Sequence, residues 1–209
     1  MERDADFERW RELWKGLNCK TNADEVFRVL EKCYAEPHRA YHTLYHIRCC
    51  LNEFESVRHL SARGNEIELA IWFHDAIYKP VAKDNEERSA RLAEQFLLEA
   101  ELPATIVEGV SKLILATKHV NIPHEPDARL LVDIDLSTLA APEEIFDEYE
   151  KNIRVEYKNV PSLFYKRKRV ALLTSFLSRP NIYLTEEFRN RYEAQARQNL
   201  ARSIARLRA

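Results

Sequence analysis

The stretch Glu66-Ile67-Glu68-Leu69-Ala70-Ile71-Trp72-Phe73-His74-Asp75-Ala76-Ile77-Tyr78 is apolar on nearly every side when it is wound as a helix. A helix that is apolar all round is expected at the centre of a helical bundle, with other helices covering each of its faces. Pro80 follows closely and predicts that the helix stops there. We therefore predict a central helix over residues 66–78.

Apolar residues recur at intervals of three and four on both sides of this stretch, which is typical of amphipathic helices. Upstream, we predict a helix marked by 7–17, a second capped by Asn22 or Thr21, and a third from about Tyr41 to Leu60. Downstream, we predict one helix from an Asp84 or Asn85 cap to about Ala100, and others beginning near Pro103, Arg129, Pro142, Pro161 and Thr185. The sequence predicts an all-α bundle in a single domain, 1–209, with 161–209 as basic C-terminal helices packed on it.

Glycine is scarce in this chain. Three glycines in 209 residues is far below the usual share of about 7%. Folds rich in tight turns consume glycine, so β-sandwiches and propellers are disfavoured. The glycines also stand alone in the sequence, which excludes a glycine-rich phosphate-binding loop.

No apolar run approaches the roughly 18 residues that a membrane span needs; the longest is Leu69 to Phe73. The charged N-terminus has no signal-peptide pattern, so we expect a soluble, cytoplasmic protein. Its four cysteines form no CxxC pair, and we expect reduced thiols.

The net charge of -2 hides an asymmetry. Residues 161–209 carry 11 Lys and Arg against 3 acidic residues, for a charge of +8, and residues 1–160 carry -10. The basic end includes the run Lys166-Arg167-Lys168-Arg169. Such a stretch attracts phosphate or nucleic acid, but we favour a solvated helix face and do not expect nucleic acid as the main partner. Nucleic-acid binding through the basic C-terminus stays an alternative, and it predicts a steep salt dependence.

Histidines and aspartates lie in the most apolar parts of the chain. His74-Asp75 falls inside the central stretch, His46 lies 28 residues earlier, and Asp133 and Asp135 interrupt another apolar run. Burying such groups is costly unless a charge compensates them. A divalent cation, which takes neutral imidazole nitrogen and carboxylate oxygen as ligands, would do so.

These residues resemble the HD superfamily of metal-dependent phosphohydrolases, which is named for its H…HD…D ligand set. The chain is most similar to a little-characterised branch of about 200 residues, and the similarity covers most of its length. The blocks that carry it are Tyr41-His42…His46-Ile47, 73–78, Asp84-Asn85-Glu86-Glu87 with Ser89-Ala90, Thr117…His119, Asp133…Asp135-Leu136-Ser137, Arg154…Glu156-Tyr157 and Ala196-Arg197…Asn199-Leu200. The resemblance implies a helical bundle of the HD type.

The resemblance also implies that the metal ligands are His46, His74, Asp75 and Asp135. On a helix Asp133 faces about 200° away from Asp135, so we expect only one of them to reach a metal; Asp133 would then orient a ligand histidine. His42 lies one helical turn before His46, so a zinc-binding HxxxH pair is an alternative. His42 is otherwise expected to line the pocket.

The implied reaction is hydrolysis of a phosphoester by a metal-activated water. Asp75 is the candidate for orienting or deprotonating that water. Glu86 and Glu87, at the start of a predicted helix, are candidates for protonating the leaving oxygen or positioning the substrate. The residues expected to hold the phosphate are His42, Lys79, Lys118, His119, Lys166 and Arg169.

The leading hypothesis is a phosphohydrolase that acts on a small phosphorylated molecule, with a nucleotide as one candidate substrate. A di-iron HD-type oxygenase is the second, and it requires His42 or His119 as further ligands. A metal-stabilised regulatory module without turnover is the third. Mixed nitrogen and oxygen ligands suit Mn, Fe, Co, Ni, Zn or Mg, and a homodimer is compatible with the sequence.

Overall fold

The computed structural model describes residues 2–209, and for Glu2 only the backbone. The described residues form helices and connecting segments and no strand, so the predicted all-α class is confirmed. They fall into two compact units that meet in sequence after Leu131. No helix among the described residues is both long enough and apolar enough to cross a membrane. The four cysteines are free thiols, as predicted.

The first unit is built from six complete helices and the start of a seventh. They are α1 (Glu2–Gly16), α2 (Ala23–Tyr34), α3 (Leu44–Val57), α4 (Gly64–Phe73), α5 (Asn85–Glu99), α6 (Ala104–Ala116) and the first part of α7 (Pro126–Asp135). A short 3-10 segment, Arg58–Leu60, follows α3. The second unit, Val132–Ala209, contains the end of α7, a 3-10 segment Leu136–Ala140, α8 (Glu143–Glu156), α9 (Ser162–Leu177) and α10 (Glu186–Arg208).

Helix α4 forms the core of the first unit, as its sequence predicts. All residues from Ile67 to Phe73 are buried. The Trp72 ring meets the rings of Trp10 and Phe27 edge-on, at centroid distances of 5.7 and 5.9 Å. Edge-to-face pairs of this kind add to the stabilisation that burial of the rings already supplies.

The end of α4 differs from the prediction. The helix stops at Phe73, with His74 as its C-cap, and residues 74–84 form an irregular loop. The predicted third helix is also shorter, because Thr43 caps α3 by accepting a hydrogen bond from the backbone N–H of Tyr45. Both differences lie beside the histidines, where the backbone groups of the loop bond to side chains that are distant in sequence.

Local sequence predicted the caps of α2 and α10 correctly. Asn22 accepts a hydrogen bond from the N–H of Asp24, and Thr185 accepts one from the N–H of Phe188. The predicted side-chain cap of α5 is wrong: Asp84 precedes the helix but makes no capping hydrogen bond. Asn85 uses its side chain elsewhere, as described below.

Tight turns after two helices are made without glycine. Asn18 and Glu101 adopt left-handed backbone conformations, with φ of 56° and 59°. Each is followed by a hydrogen bond that spans five residues, from Cys19 N–H to Trp14 and from Leu102 N–H to Leu97, which is the Schellman pattern of helix termination. None of the glycines has a positive φ.

Candidate metal centre

Two histidines and one aspartate converge inside the first unit. His46 lies in the first turn of α3, and His74 and Asp75 follow the end of α4. Both imidazoles are almost fully buried, with exposed fractions of 3% and 2%. Asp75 is half-buried. The helices α3 and α4 pack against each other, so residues 28 positions apart come together as the sequence predicted.

The donor atoms of these three residues form a small triangle. His46 Nε2 lies 3.3 Å from His74 Nε2, and Asp75 Oδ2 lies 3.6 Å from His46 Nε2 and 3.2 Å from His74 Nε2. Ligands that bind one transition metal at about 2.1 Å stand about 3.0–3.4 Å apart in octahedral or tetrahedral geometry. Two of the three separations lie in this range and the third exceeds it slightly, so a small side-chain adjustment would let the triangle hold a single divalent cation.

The hydrogen bond of His74 determines which of its nitrogens carries a proton. His74 Nδ1 lies 2.9 Å from the carbonyl oxygen of Ile71. A carbonyl oxygen only accepts, so Nδ1 is the donor, and Nε2 of the neutral ring carries a lone pair. That lone pair faces a carboxylate oxygen, an arrangement that is repulsive unless a proton or a metal cation lies between them. A backbone carbonyl that orients a ligand histidine in this way is common around metals in proteins.

The electrostatics of Asp75 favour its ionised form. Burial opposes ionisation, but the positive charges of His74, His42 and His46 in their protonated forms, with a hydrogen bond from His74, outweigh it and hold the pKa of Asp75 below its usual range. The carboxylate is therefore available as an anionic ligand across the ordinary pH range. The Sγ atom of Cys50 lies 3.7 Å from His46 Nδ1 and adds a soft donor beside this histidine.

Arg39 organises the loop that carries Asp75, and sequence reasoning missed it. Its side chain is fully buried and donates to the carbonyl oxygens of His42, Asp75 and Ala76 at 2.8–2.9 Å. Its remaining N–H groups bond to Glu36. All five guanidinium donors are thus satisfied, and they explain why the chain leaves the helical path after Phe73. A lone arginine between two predicted helices gives no sequence signal of this role.

Two residues of α5 hold the rest of the loop. Ser89 Oγ accepts from the N–H of Ile77 and donates to its carbonyl oxygen. Asn85 makes the equivalent pair with the N–H and carbonyl of Lys79, both at 3.0 Å. These bonds give a structural reason for the Asn85 and Ser89 positions that carried the resemblance.

The predicted pocket residues of the first unit occupy different settings. His42 stacks on the ring of Tyr78 at a centroid distance of 4.0 Å, beside His46. Burial, together with the charge of Asp75, raises the pKa of Glu86. Glu87 forms an ion pair with Lys118, which lowers the pKa of Glu87.

Lys79 and His119 are the other two residues of the first unit that the sequence predicts as phosphate contacts. Lys79 Nζ lies 2.9 Å from a carboxylate oxygen of Glu36, so the ammonium group pairs with Glu36. His119 adopts a left-handed backbone conformation with φ of 56° in the loop after α6. Lys118 also donates to the carbonyl oxygen of Lys83 at 2.8 Å, which ties this loop to the segment ahead of α5.

Asp133 has a role that the sequence did not predict, while its predicted role in orienting a ligand histidine stays a prediction. Its carboxylate is fully buried in the second unit and accepts from the N–H groups of Leu184 and Thr185, both at 2.7 Å, and from the Thr185 hydroxyl at 2.6 Å. These bonds anchor the segment that begins α10. Asp135 is the last residue of α7 and belongs to the second unit, so its assignment as the fourth metal ligand stays a prediction.

The basic run also lies in the second unit. Arg169 is buried, where it forms an ion pair with Glu150 and donates to the hydroxyl of Tyr149 at 2.8 Å. The proximity of Tyr149 and Glu150 raises the pKa of Arg169 despite its burial. Arg169 therefore serves the packing of α8 against α9, and Lys166, one turn earlier, lines a cavity described below.

Comparison with protein-family models finds no match to the chain, and comparisons with curated proteins and with solved structures find none either.

Proposed function

We propose that the protein is a metal-dependent phosphohydrolase of the HD type that cleaves a phosphoester of a small molecule. The observation that carries the proposal is the convergence of the two Nε2 atoms and Asp75 Oδ2 within 3.6 Å, with the His74 lone pair directed at them by Ile71. Neutral imidazole and carboxylate in a buried setting are a donor set for a divalent transition metal. We propose Asp135 as the fourth ligand, on the resemblance alone.

A divalent cation held by these residues would supply Lewis-acid polarisation of a phosphoryl oxygen and would lower the pKa of water. Asp75, kept ionised by its neighbours, accepts and orients a proton of the attacking water. Glu86 has a raised pKa, so it holds a proton at higher pH than an ordinary glutamate does. It is therefore suited to donate that proton to the leaving oxygen.

The substrate would be held by side chains, because the chain has no glycine-rich loop for a phosphate. His42 and Tyr78 offer a stacked aromatic wall beside His46. Lys118 forms an ion pair with Glu87, and this pair together with the charge of Glu86 raises the pKa of Lys118. A phosphate would compete with Glu87 for the Lys118 ammonium, so we assign these two residues to substrate positioning.

The proposal is tested by a screen of nucleotides and other phosphate esters with metal-stripped protein reloaded with each of Mn, Fe, Co, Ni, Zn and Mg. Release of phosphate or of the alcohol product is measured, and the metal per chain is counted by elemental analysis. His74→Ala and Asp75→Asn should abolish turnover. His59→Ala, which alters an exposed histidine of the 58–60 segment, is the matched control and should leave it unchanged.

Survival of every ester in every metal state would remove the hydrolase proposal. Two irons per chain together with oxygen consumption would favour the oxygenase alternative instead. Binding of metal without turnover of any substrate would favour a regulatory module.

A further inference from the structure

The second unit contains a cavity that the proposed hydrolase mechanism does not use. It has a volume of about 460 Å³ and lies among α8, α9 and the end of α10, to which all its lining residues belong. Small-molecule sites in proteins usually measure about 300–1,000 Å³. The cavity is therefore large enough for a ligand of the size of a mononucleotide.

The wall of this cavity is positively charged. Four of its side chains are cationic and two are acidic; the cations are Lys151, Arg154, Lys166 and Arg206. The two acids already bind elsewhere. Glu150 pairs with the buried Arg169 and accepts from the Ser203 hydroxyl, and Asp147 pairs with two arginines of α10. Arg206 is one of the cations that neutralise Asp147, so Lys151, Arg154 and Lys166 supply the remaining positive charge of the wall, and the net field in the cavity favours an anion.

Two donors in the wall are not used by the protein. Lys166 is half-buried and has no ion pair or hydrogen bond to any residue that the structure describes. Tyr165 is only 6% exposed, and within the described part of the chain its hydroxyl has no hydrogen-bond partner. Burial raises the pKa of Tyr165 to about 12, so it stays a neutral donor. A hydroxyl and an ammonium side by side are a common recognition pair for phosphate.

The start of α9 faces the same cavity. Ser162, the first residue of the helix, lies three and four positions before Tyr165 and Lys166, so all three share one helix face. The first N–H groups of a helix carry a partial positive charge and bind phosphate well. The Arg154 guanidinium covers one face of the Tyr165 ring at 4.8 Å, which adds a cation to the wall beside Tyr165.

We propose that this cavity binds a small phosphorylated molecule, up to a mononucleotide in size, with the phosphoryl group on Lys166, Tyr165 and the start of α9. A phosphoryl group presents several anionic oxygens and so uses donors from more than one side. The remainder of the ligand contacts the largely aliphatic and aromatic parts of the wall, such as Leu207 and the Tyr165 ring. This site does not depend on the metal centre, since every residue in it belongs to the second unit.

The test is isothermal titration calorimetry of the full-length protein with adenosine 5′-monophosphate and with inorganic phosphate. We expect binding to wild-type protein that weakens as salt is added. Lys166→Glu should weaken it by about tenfold or more, because a charge-assisted contact becomes a repulsive one. Tyr165→Phe should weaken it by a smaller factor while keeping the ring.

Lys168→Glu is the matched control, since it makes the same charge change on an exposed residue of the same helix, and its affinity should equal that of the wild type. His74→Ala should also bind normally, which separates this site from the metal centre and from the fate of the hydrolase proposal. Circular dichroism melts of each variant establish that it is folded.

Three results would overturn the proposal. The first is no binding of either probe to wild-type protein. The second is binding that Lys166→Glu leaves unchanged or that His74→Ala abolishes. The third is binding of citrate as tight as that of the monophosphate, which would show a general anion site without preference for the phosphoryl group.

Discussion

Arg39 Nη1 donates a 2.8 Å hydrogen bond to the carbonyl oxygen of Asp75. An arginine 36 residues earlier in the chain therefore holds the backbone of the residue that we propose as metal ligand and proton acceptor. Because the same side chain also binds Ala76 and His42, it links the connection between α2 and α3 to the loop after α4. Because the Arg39 side chain is buried, loss of these hydrogen bonds should lower the stability of the protein.

Replacement of Arg39 should destabilise the protein strongly. Arg39→Met removes the arginine donors of three carbonyl oxygens and of Glu36 Oε2, and we expect the free energy of unfolding to fall by about 3 kcal/mol. Arg39→Lys keeps the charge but has fewer donors, so its free energy of unfolding should lie between those of wild type and Arg39→Met. Urea unfolding measures both. Arg167→Met, on an exposed arginine, is the control; equal stability of Arg39→Met and wild type would contradict the role of Arg39.

Metal should stabilise the protein through the histidines. At a free concentration of about one hundred times Kd, a cation that binds only the folded state adds about 2.7 kcal/mol. We expect Mn²⁺ or Zn²⁺ to raise the Tm of wild type and of His59→Ala, and to leave the Tm of His46→Ala unchanged. A rise in all three proteins would place the bound metal elsewhere.

Asp133 and Asp135 should separate stability from metal binding. Asp133→Asn loses a carboxylate that accepts three hydrogen bonds from Leu184 and Thr185, and we expect a loss of about 2 kcal/mol in the free energy of unfolding. Metal should still raise its Tm. Asp135→Asn should keep most of the metal-free stability and lose the metal-induced rise; the opposite pattern would make Asp133 the ligand.

The stability contributed by Glu86 should fall as pH rises. Its pKa is raised in the folded protein, first of all by burial, so the folded state binds its proton more tightly than the unfolded state does. The contribution is fully present below the ordinary glutamate pKa and is lost as pH rises through the folded value. In metal-free protein, Glu86→Gln should therefore gain stability relative to wild type between pH 4 and 7, as measured by unfolding at each pH. A constant difference would show that Glu86 is solvated.

Local features of the fold were predictable from the sequence, and distant ones were not. The apolar stretch ahead of His74 identified the core helix, and Asn22 and Thr185 identified the caps they form, because each signal lies within a few residues. The end of α4 at Phe73 depends on Arg39, Asn85 and Ser89, whose bonds to the loop join separate parts of the chain.

The residues of the candidate site were likewise predictable only in part. The spacing of His46 and His74-Asp75 predicted residues that the structure brings together. Arg39 gave no signal, because its contacts are to backbone carbonyls and not to a motif. Asp133 looked like a metal-site residue because it is an acid in an apolar run, but such an acid can equally bind backbone N–H groups.

The turns at Asn18 and Glu101 have a consequence for protein engineering. The backbone of each residue has a left-handed conformation that glycine adopts without steric cost. Asn18→Gly and Glu101→Gly should therefore each raise the free energy of unfolding by about 0.5–1 kcal/mol, with the larger gain at Glu101. The protein can therefore be stabilised by adding glycine at these two helix ends, where no proposed ligand or catalytic side chain is altered.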